Sequence, residues 1–79
     1  MTRLTELATG SSGMIGRVEP TDEGSLLKLM SLGILPGTRV LLLQRFPSYI
    51  FRAGQTEISL DRQLAAQVLV ESRGTEGQP

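Results

Sequence analysis

The chain contains neither cysteine nor histidine, and both absences narrow its chemistry. Without cysteine there is no disulfide framework and no thiolate metal site. Without histidine there is no Ser-His or Cys-His catalysis, no zinc site of the usual type and no two-His-one-carboxylate iron site. We therefore expect a protein that is not an enzyme and that has no cofactor and no dedicated metal site.

The chain also lacks an excess of one charge and a long hydrophobic run. Eight basic and eight acidic residues cancel, whereas a general nucleic-acid binder normally carries a basic stripe. No apolar run approaches the roughly 20 residues of a membrane span, and residues 1–7 lack the apolar core of a signal peptide. These features predict a soluble, intracellular protein.

What is present suits one small domain, because 39% of the 79 residues are hydrophobic. Short apolar-alternating segments bounded by turn residues predict about five strands. They are expected at 14–18, 39–46, around 49–51, 56–60 and 68–70. A short helix is predicted over residues 26–32 with Ser25 as its N-cap, and a single helical turn over 62–65 capped by Asp61. A small antiparallel barrel would bury the edges of such a sheet.

Residues 73–79 contain no apolar side chain and are predicted to be a disordered tail, which limits the domain to residues 1–72.

The junction over residues 29–40 is the most informative stretch. Gly33 can supply the left-handed residue that ends a helix, and Ile34 can fold back on the last turn. Pro36 and Gly37 suit the two central positions of a type II turn. A strand is then predicted to begin at Arg39.

With this junction placed, the chain resembles the ferrous iron transport protein A family (FeoA) over residues 4–71. The motifs that carry the resemblance are Leu4 and Leu7; Gly13, Gly16 and Val18; Leu29, Leu32, Gly33, Ile34, Pro36, Gly37 and Val40; Gly54, Ile58 and Leu60; and Leu64, Ala65, Val68 and Val70. The basic residue that the family often has before the helix-end leucines would be Lys28.

The resemblance implies an SH3-like barrel and a small accessory protein of bacterial ferrous iron uptake, without catalysis of its own. The implied partner is the membrane permease FeoB, through its cytoplasmic portion. The protein would then be cytoplasmic and peripheral to the inner membrane through that partner. Similar domains are appended to metal-dependent transcriptional regulators.

The expected partner-binding surface combines the turn with nearby apolar residues. It comprises Leu35, Pro36, Tyr49 and Phe51, with Leu41 or Leu43 added because the strand 40–43 is apolar on both faces. Among the aromatic residues, Tyr49 is the better candidate for exposure, and the more ordinary interpretation of Phe46 and Phe51 is that they belong to the core.

Three other groups have more ordinary interpretations beside functional ones. Gly10, Gly13 and Gly16 suit turns and a bulge better than a phosphate-binding loop, because no Gly-Lys-Ser/Thr sequence follows. Asp22 and Glu23, with Glu19 nearby, suit a helix N-terminus better than a divalent cation.

Arg39, Arg45 and Arg52 form a possible basic edge, for which a solvated face is the default. Two alternatives to the iron-transport function remain open. One is a nucleic-acid-binding or regulatory module; the other is a weakly self-associating module that pairs through Leu41 and Leu43.

Overall fold

The computed structural model describes residues 1–72 of the chain, so the predicted tail at 73–79 lies outside the described residues. The strands are β1 (Thr2–Arg3), β2 (Ser12–Val18), β3 (Arg39–Gln44), β4 (Tyr49–Ala53), β5 (Thr56–Leu60) and β6 (Val68–Ser72). The helices are α1 (Glu23–Ser31) and α2 (Arg62–Ala65), and a 3₁₀ turn covers Leu4–Glu6.

All six strands form one antiparallel sheet in the order β1-β6-β2-β3-β4-β5. The prediction of a small, mainly β fold with one short helix and one helical turn is confirmed. The structure differs in having six strands and in leaving the sheet open, since no pairing joins β1 to β5 among residues 1–72. Closure is not needed to protect these edges, because β1 is only two residues long and β5 carries the charged Glu57.

Two irregularities modify the strand pairing. The register between β2 and β6 shifts between Ile15 and Arg17, which makes Gly16 the bulge position. The register between β3 and β4 shifts between Leu42 and Gln44. Bulges increase the local twist and bend of a strand. Because the β2–β6 register skips Gly16, the interpretation of Gly16 as a bulge residue is confirmed.

One hydrophobic core lies beneath the sheet, where alternate strand residues supply most of it and the helices and loops supply the rest. Its members are Leu4, Leu7, Ile15, Leu29, Ile34, Val40, Leu42, Tyr49, Phe51, Ile58, Leu60, Ala65, Val68 and Val70. Leu4 and Leu7 come from the 3₁₀ turn and its C-cap, so the N-terminal segment anchors to the core as its leucine spacing predicts.

Helix α1 begins earlier than predicted. Its N-cap is Asp22, whose carboxylate accepts a hydrogen bond of 2.7 Å from the backbone N–H of Ser25. Ser25 is thus the third helical residue and not the cap. The short helix α2 does begin where the sequence predicts, because Asp61 accepts a hydrogen bond of 2.8 Å from the N–H of Leu64.

Candidate interaction surfaces

The end of α1 is fixed by a Schellman motif. Gly33 has φ of +80°, and its N–H donates to the carbonyl of Met30 at 3.0 Å. The N–H of Ile34 donates to the carbonyl of Leu29, also at 3.0 Å, and both of these side chains are buried in the core. The predicted ending of the helix at Gly33 is confirmed.

The turn after the helix is equally well defined. Gly37 has φ of +93°, and the N–H of Thr38 donates to the carbonyl of Leu35 at 3.2 Å. Pro36 and Gly37 therefore occupy the two central positions of a type II turn, as predicted. The carbonyl of Ile15 accepts from the N–H of Gly37 at 2.7 Å, which ties the turn to β2.

Helix α1 and this turn present large apolar side chains to solvent. Leu27 is 61% exposed, Met30 51% and Leu35 47%, and Pro36 is also exposed. Leu27 and Met30 are three residues apart and so are neighbours on one helix face. We call Leu27, Met30, Leu35 and Pro36 the α1 surface.

Sequence reasoning found only half of the α1 surface, namely Leu35 and Pro36. It did not include Leu27 or Met30. The available signal was Leu27 itself, an apolar residue outside the stripe that contains the buried Leu29.

The aromatic part of the predicted surface is wrong. Tyr49 is only 4% exposed and Phe51 is fully buried, whereas Phe46 is 85% exposed. The reason lies in the pairing of β4, where Tyr49 faces Leu60 and Phe51 faces Ile58 and Leu42, so that both point into the core. Phe46 lies in the loop between β3 and β4, outside the strand pairing. Tyr49 and Phe51 are thus removed from the surface that a partner can reach.

The outer face of β3 carries the remaining predicted residues. Leu41 and Leu43 are half-buried, while Val40 and Leu42, which alternate with them, point into the core. Leu41 pairs with Ser12 of β2 on one side and with Arg52 of β4 on the other.

A surface groove of about 260 Å³ opens on this face of the sheet. Its lining consists of Ser12, Gly13, Arg39, Val40, Leu41, Arg52 and Gly54. We call it the β3–β4 groove. It brings together Arg39 and Arg52 of the predicted basic edge. Arg45 is not among the lining residues, and its guanidinium donates instead to the backbone carbonyl of Thr5 at 3.0 Å.

Two of the three acidic residues near α1 have side-chain partners. Asp22 caps the helix, and Glu19 forms ion pairs with Arg17 at 2.8 Å and with Arg3 at 3.8 Å. Among the residues that the structure describes, no group of three or more His, Cys, Asp or Glu side chains could hold a metal ion. Over the same range, no helix is long and apolar enough to cross a membrane.

Solved structures share this fold. One is FeoA from Stenotrophomonas maltophilia, which was solved with zinc and is described as an SH3 domain protein. It is 22% identical to this chain and superimposes with a TM-score of 0.79. The match covers 90% of this chain and 91% of the Stenotrophomonas chain. Iron(II) transport protein A from Clostridium thermocellum is 28% identical over 92% of this chain, with a TM-score of 0.82. IdeR from T. acidophilum is 20% identical over 90% of this chain, with a TM-score of 0.84. The chain spans 46% of the second protein and 33% of the third. The class of fold is therefore SH3-like.

Within that class, the chain belongs to the FeoA domain family, whose model matches residues 2–72. This family is associated with ferrous iron transport and is not a known enzyme family. A search of curated proteins finds no match.

Proposed function

We propose that this protein is a non-catalytic accessory of bacterial ferrous iron uptake. It binds the cytoplasmic portion of the permease FeoB and modulates transport or the nucleotide cycle of the permease. Membership of the FeoA domain family supports the link to iron transport. In this proposal the protein is cytoplasmic and reaches the inner membrane through its partner.

The α1 surface is the observation that carries the proposal. Three large apolar side chains, each about half exposed or more, are presented by one helix and the turn that follows it. Burying apolar side chains of this kind against a partner contributes roughly 25 cal/mol per Å² of area removed from water. An exposed group of large apolar residues on a small domain is typical of a protein–protein contact.

The surface is also preorganised. The Schellman bonds fix the end of α1, and the type II turn fixes Leu35 and Pro36. A contact surface that is rigid before binding loses less conformational entropy when it binds. Leu41 and Leu43 remain secondary members of the proposed contact, because their half-buried side chains still offer apolar area on the outer face of β3.

The test is a pull-down from detergent-solubilised membranes of the source cell with the tagged protein as bait, followed by mass spectrometry. The proposal predicts recovery of FeoB by the wild-type chain and its loss with the double variant Met30→Ser/Leu35→Ser. Phe46→Ser is the matched control, because Phe46 is more exposed than either residue but lies outside the α1 surface. Recovery of only soluble proteins or nucleic acid would overturn the proposal in favour of a regulatory module.

A further inference from the structure

We propose that the β3–β4 groove binds an extended peptide segment that carries acidic side chains and one aliphatic side chain. This site lies outside the α1 surface, has a different chemistry and shares only Leu41 with the proposed permease contact. It goes beyond the proposed function, since its occupant is defined by charge and shape and need not belong to the permease.

The groove results from the strand register. Arg52 pairs with Leu41, and Arg39 lies two residues before Leu41 on the same face of β3. The two arginines are therefore diagonal neighbours, a relation that spaces side chains by roughly 7–8 Å. Gly54 lines the end of the groove and has no side chain to fill it. The half-buried Leu41 lies directly opposite Arg52 and supplies an apolar floor beside the two charges.

Both guanidinium groups are available to a ligand. Among residues 1–72, no acidic side chain lies within ion-pair distance of Arg39. Arg52 has one ion pair, with Glu57 at 3.8 Å, and about half of each side chain is exposed. An exposed pair at this distance is weak, so a carboxylate that bonds to the guanidinium in bidentate geometry competes with it readily.

An acidic peptide fits this arrangement in its spacing. An extended chain rises about 3.3 Å per residue and points alternate side chains to the same side. Two carboxylates two residues apart are then about 6.6 Å apart, close to the diagonal spacing of the two arginines. An aliphatic side chain two residues further along can contact the floor at Leu41.

A nucleic acid fits the groove less well. Single-stranded nucleic acids are bound by basic tracks combined with aromatic platforms on which the bases stack. The groove offers only two basic residues, and none of the three aromatic residues of the chain lines it. The balanced net charge supplies no long-range attraction for a polyanion.

The test is a titration of the ¹⁵N-labelled full chain, followed by amide chemical shifts. The probe is a blocked peptide of sequence Ser-Asp-Ser-Asp-Ser-Leu-Ser. We expect saturable shifts concentrated at Ser12, Gly13, Leu41 and Gly54. Arg39→Gln and Arg52→Gln should each weaken binding by about two- to fivefold, as expected for exposed charge pairs. Arg62→Gln is the matched control, because Arg62 is an exposed arginine of α2 outside the groove.

Two further probes make the outcome decisive. Replacing the leucine of the peptide by serine, or both aspartates by asparagine, should weaken binding. Equal binding of these peptides, shifts spread over the whole surface, or equal weakening by Arg62→Gln would overturn the proposal. Shifts of the groove residues by a single-stranded oligothymidine at lower concentration than the peptide would also overturn it and would favour a nucleic-acid site.

Discussion

Gly33 determines where α1 ends and thereby where Leu35 is presented. Its φ of +80° lies in the left-handed region, which costs a residue with a Cβ atom about 1–2 kcal/mol. Apart from Gly33 itself and its two chain neighbours, no heavy atom of the described residues lies within 4 Å of the position that a Cβ would take there. The requirement for glycine is thus conformational and not steric.

We therefore predict that Gly33→Ala lowers the free energy of unfolding by about 1–2 kcal/mol. The measurement is urea denaturation followed by circular dichroism, since the chain has no tryptophan. Gly24→Ala is the control: Gly24 lies in the first turn of α1, and its Cβ would make only an ordinary contact of 3.5 Å with Asp22. Alanine there should be neutral or stabilising by up to about 1 kcal/mol. Equal destabilisation by both variants would contradict this account of Gly33.

The two phenylalanines should respond in opposite ways. Phe51 is fully buried, so Phe51→Ala should lower the free energy of unfolding by about 3–5 kcal/mol. Phe46 is 85% exposed, so Phe46→Ala should change the free energy of unfolding by less than about 0.5 kcal/mol. A large loss of stability in Phe46→Ala would show that the loop packs on the core.

The aromatic and turn residues also show how much of the structure the sequence could predict at the scale of single residues. Alternation along β4 correctly predicts that Tyr49 and Phe51 share a face. It does not say which face is buried, because that depends on the pairing of β4 with β3 and β5. The turn residues were predictable, since positive φ restricts Gly33 and Gly37 directly.

At the scale of the element, α1 depends on its ends more than on its middle. Leu29 is its one buried residue among the nine from Glu23 to Ser31. A two-turn helix is marginal in isolation. The Asp22 cap at one end and the Schellman motif at the other supply the stabilisation that the short buried stripe does not.

Removing the N-cap should therefore have a clear effect. We predict that Asp22→Ala lowers the free energy of unfolding by about 1 kcal/mol, because the N–H of Ser25 loses its acceptor. Ser25→Ala leaves that bond intact, since only the backbone of Ser25 takes part, and should change stability by less than about 0.5 kcal/mol. Thermal unfolding followed by circular dichroism distinguishes the two. The reverse order would restore Ser25 as the cap.

The sequence-based prediction placed the N-cap of α1 at Ser25 and not at Asp22, and this error has a simple physical origin. Asp22 and Ser25 are both good N-cap residues, and they are three positions apart. The sequence alone does not decide between them, whereas the backbone does: Asp22 has extended φ and ψ, and its carboxylate reaches the N–H of Ser25.

At the scale of the whole molecule, the open six-stranded sheet places two different surfaces on one small domain. The α1 surface is apolar, and the β3–β4 groove combines two arginines with a leucine floor. The α1 surface shares no residue with the core and the groove shares only Val40, so the exposed residues of each surface can change without loss of the fold.

Much of this architecture was predictable, because turn residues separate the strands and the FeoA motifs are spread along the chain. The groove was not predictable. It depends on the register that places Leu41 opposite Arg52, and on Gly54 leaving space at the end of the strand. Pairing register is a property of the folded sheet and not of any one segment.

The most direct test of the central claim is the affinity of the chain for purified, full-length FeoB in nanodiscs, measured by biolayer interferometry. The comparison includes the wild type, the double variant Leu27→Ser/Leu35→Ser and the control Phe46→Ser. Circular dichroism first checks that all three proteins are folded to the same extent. Truncation at an interface centre typically costs 2 kcal/mol or more, so the double variant should lose about 30-fold or more in affinity. Phe46→Ser should bind as the wild type does. Equal affinity of all three, or no binding by any of them, would contradict the proposed docking of this protein on the permease through the α1 surface.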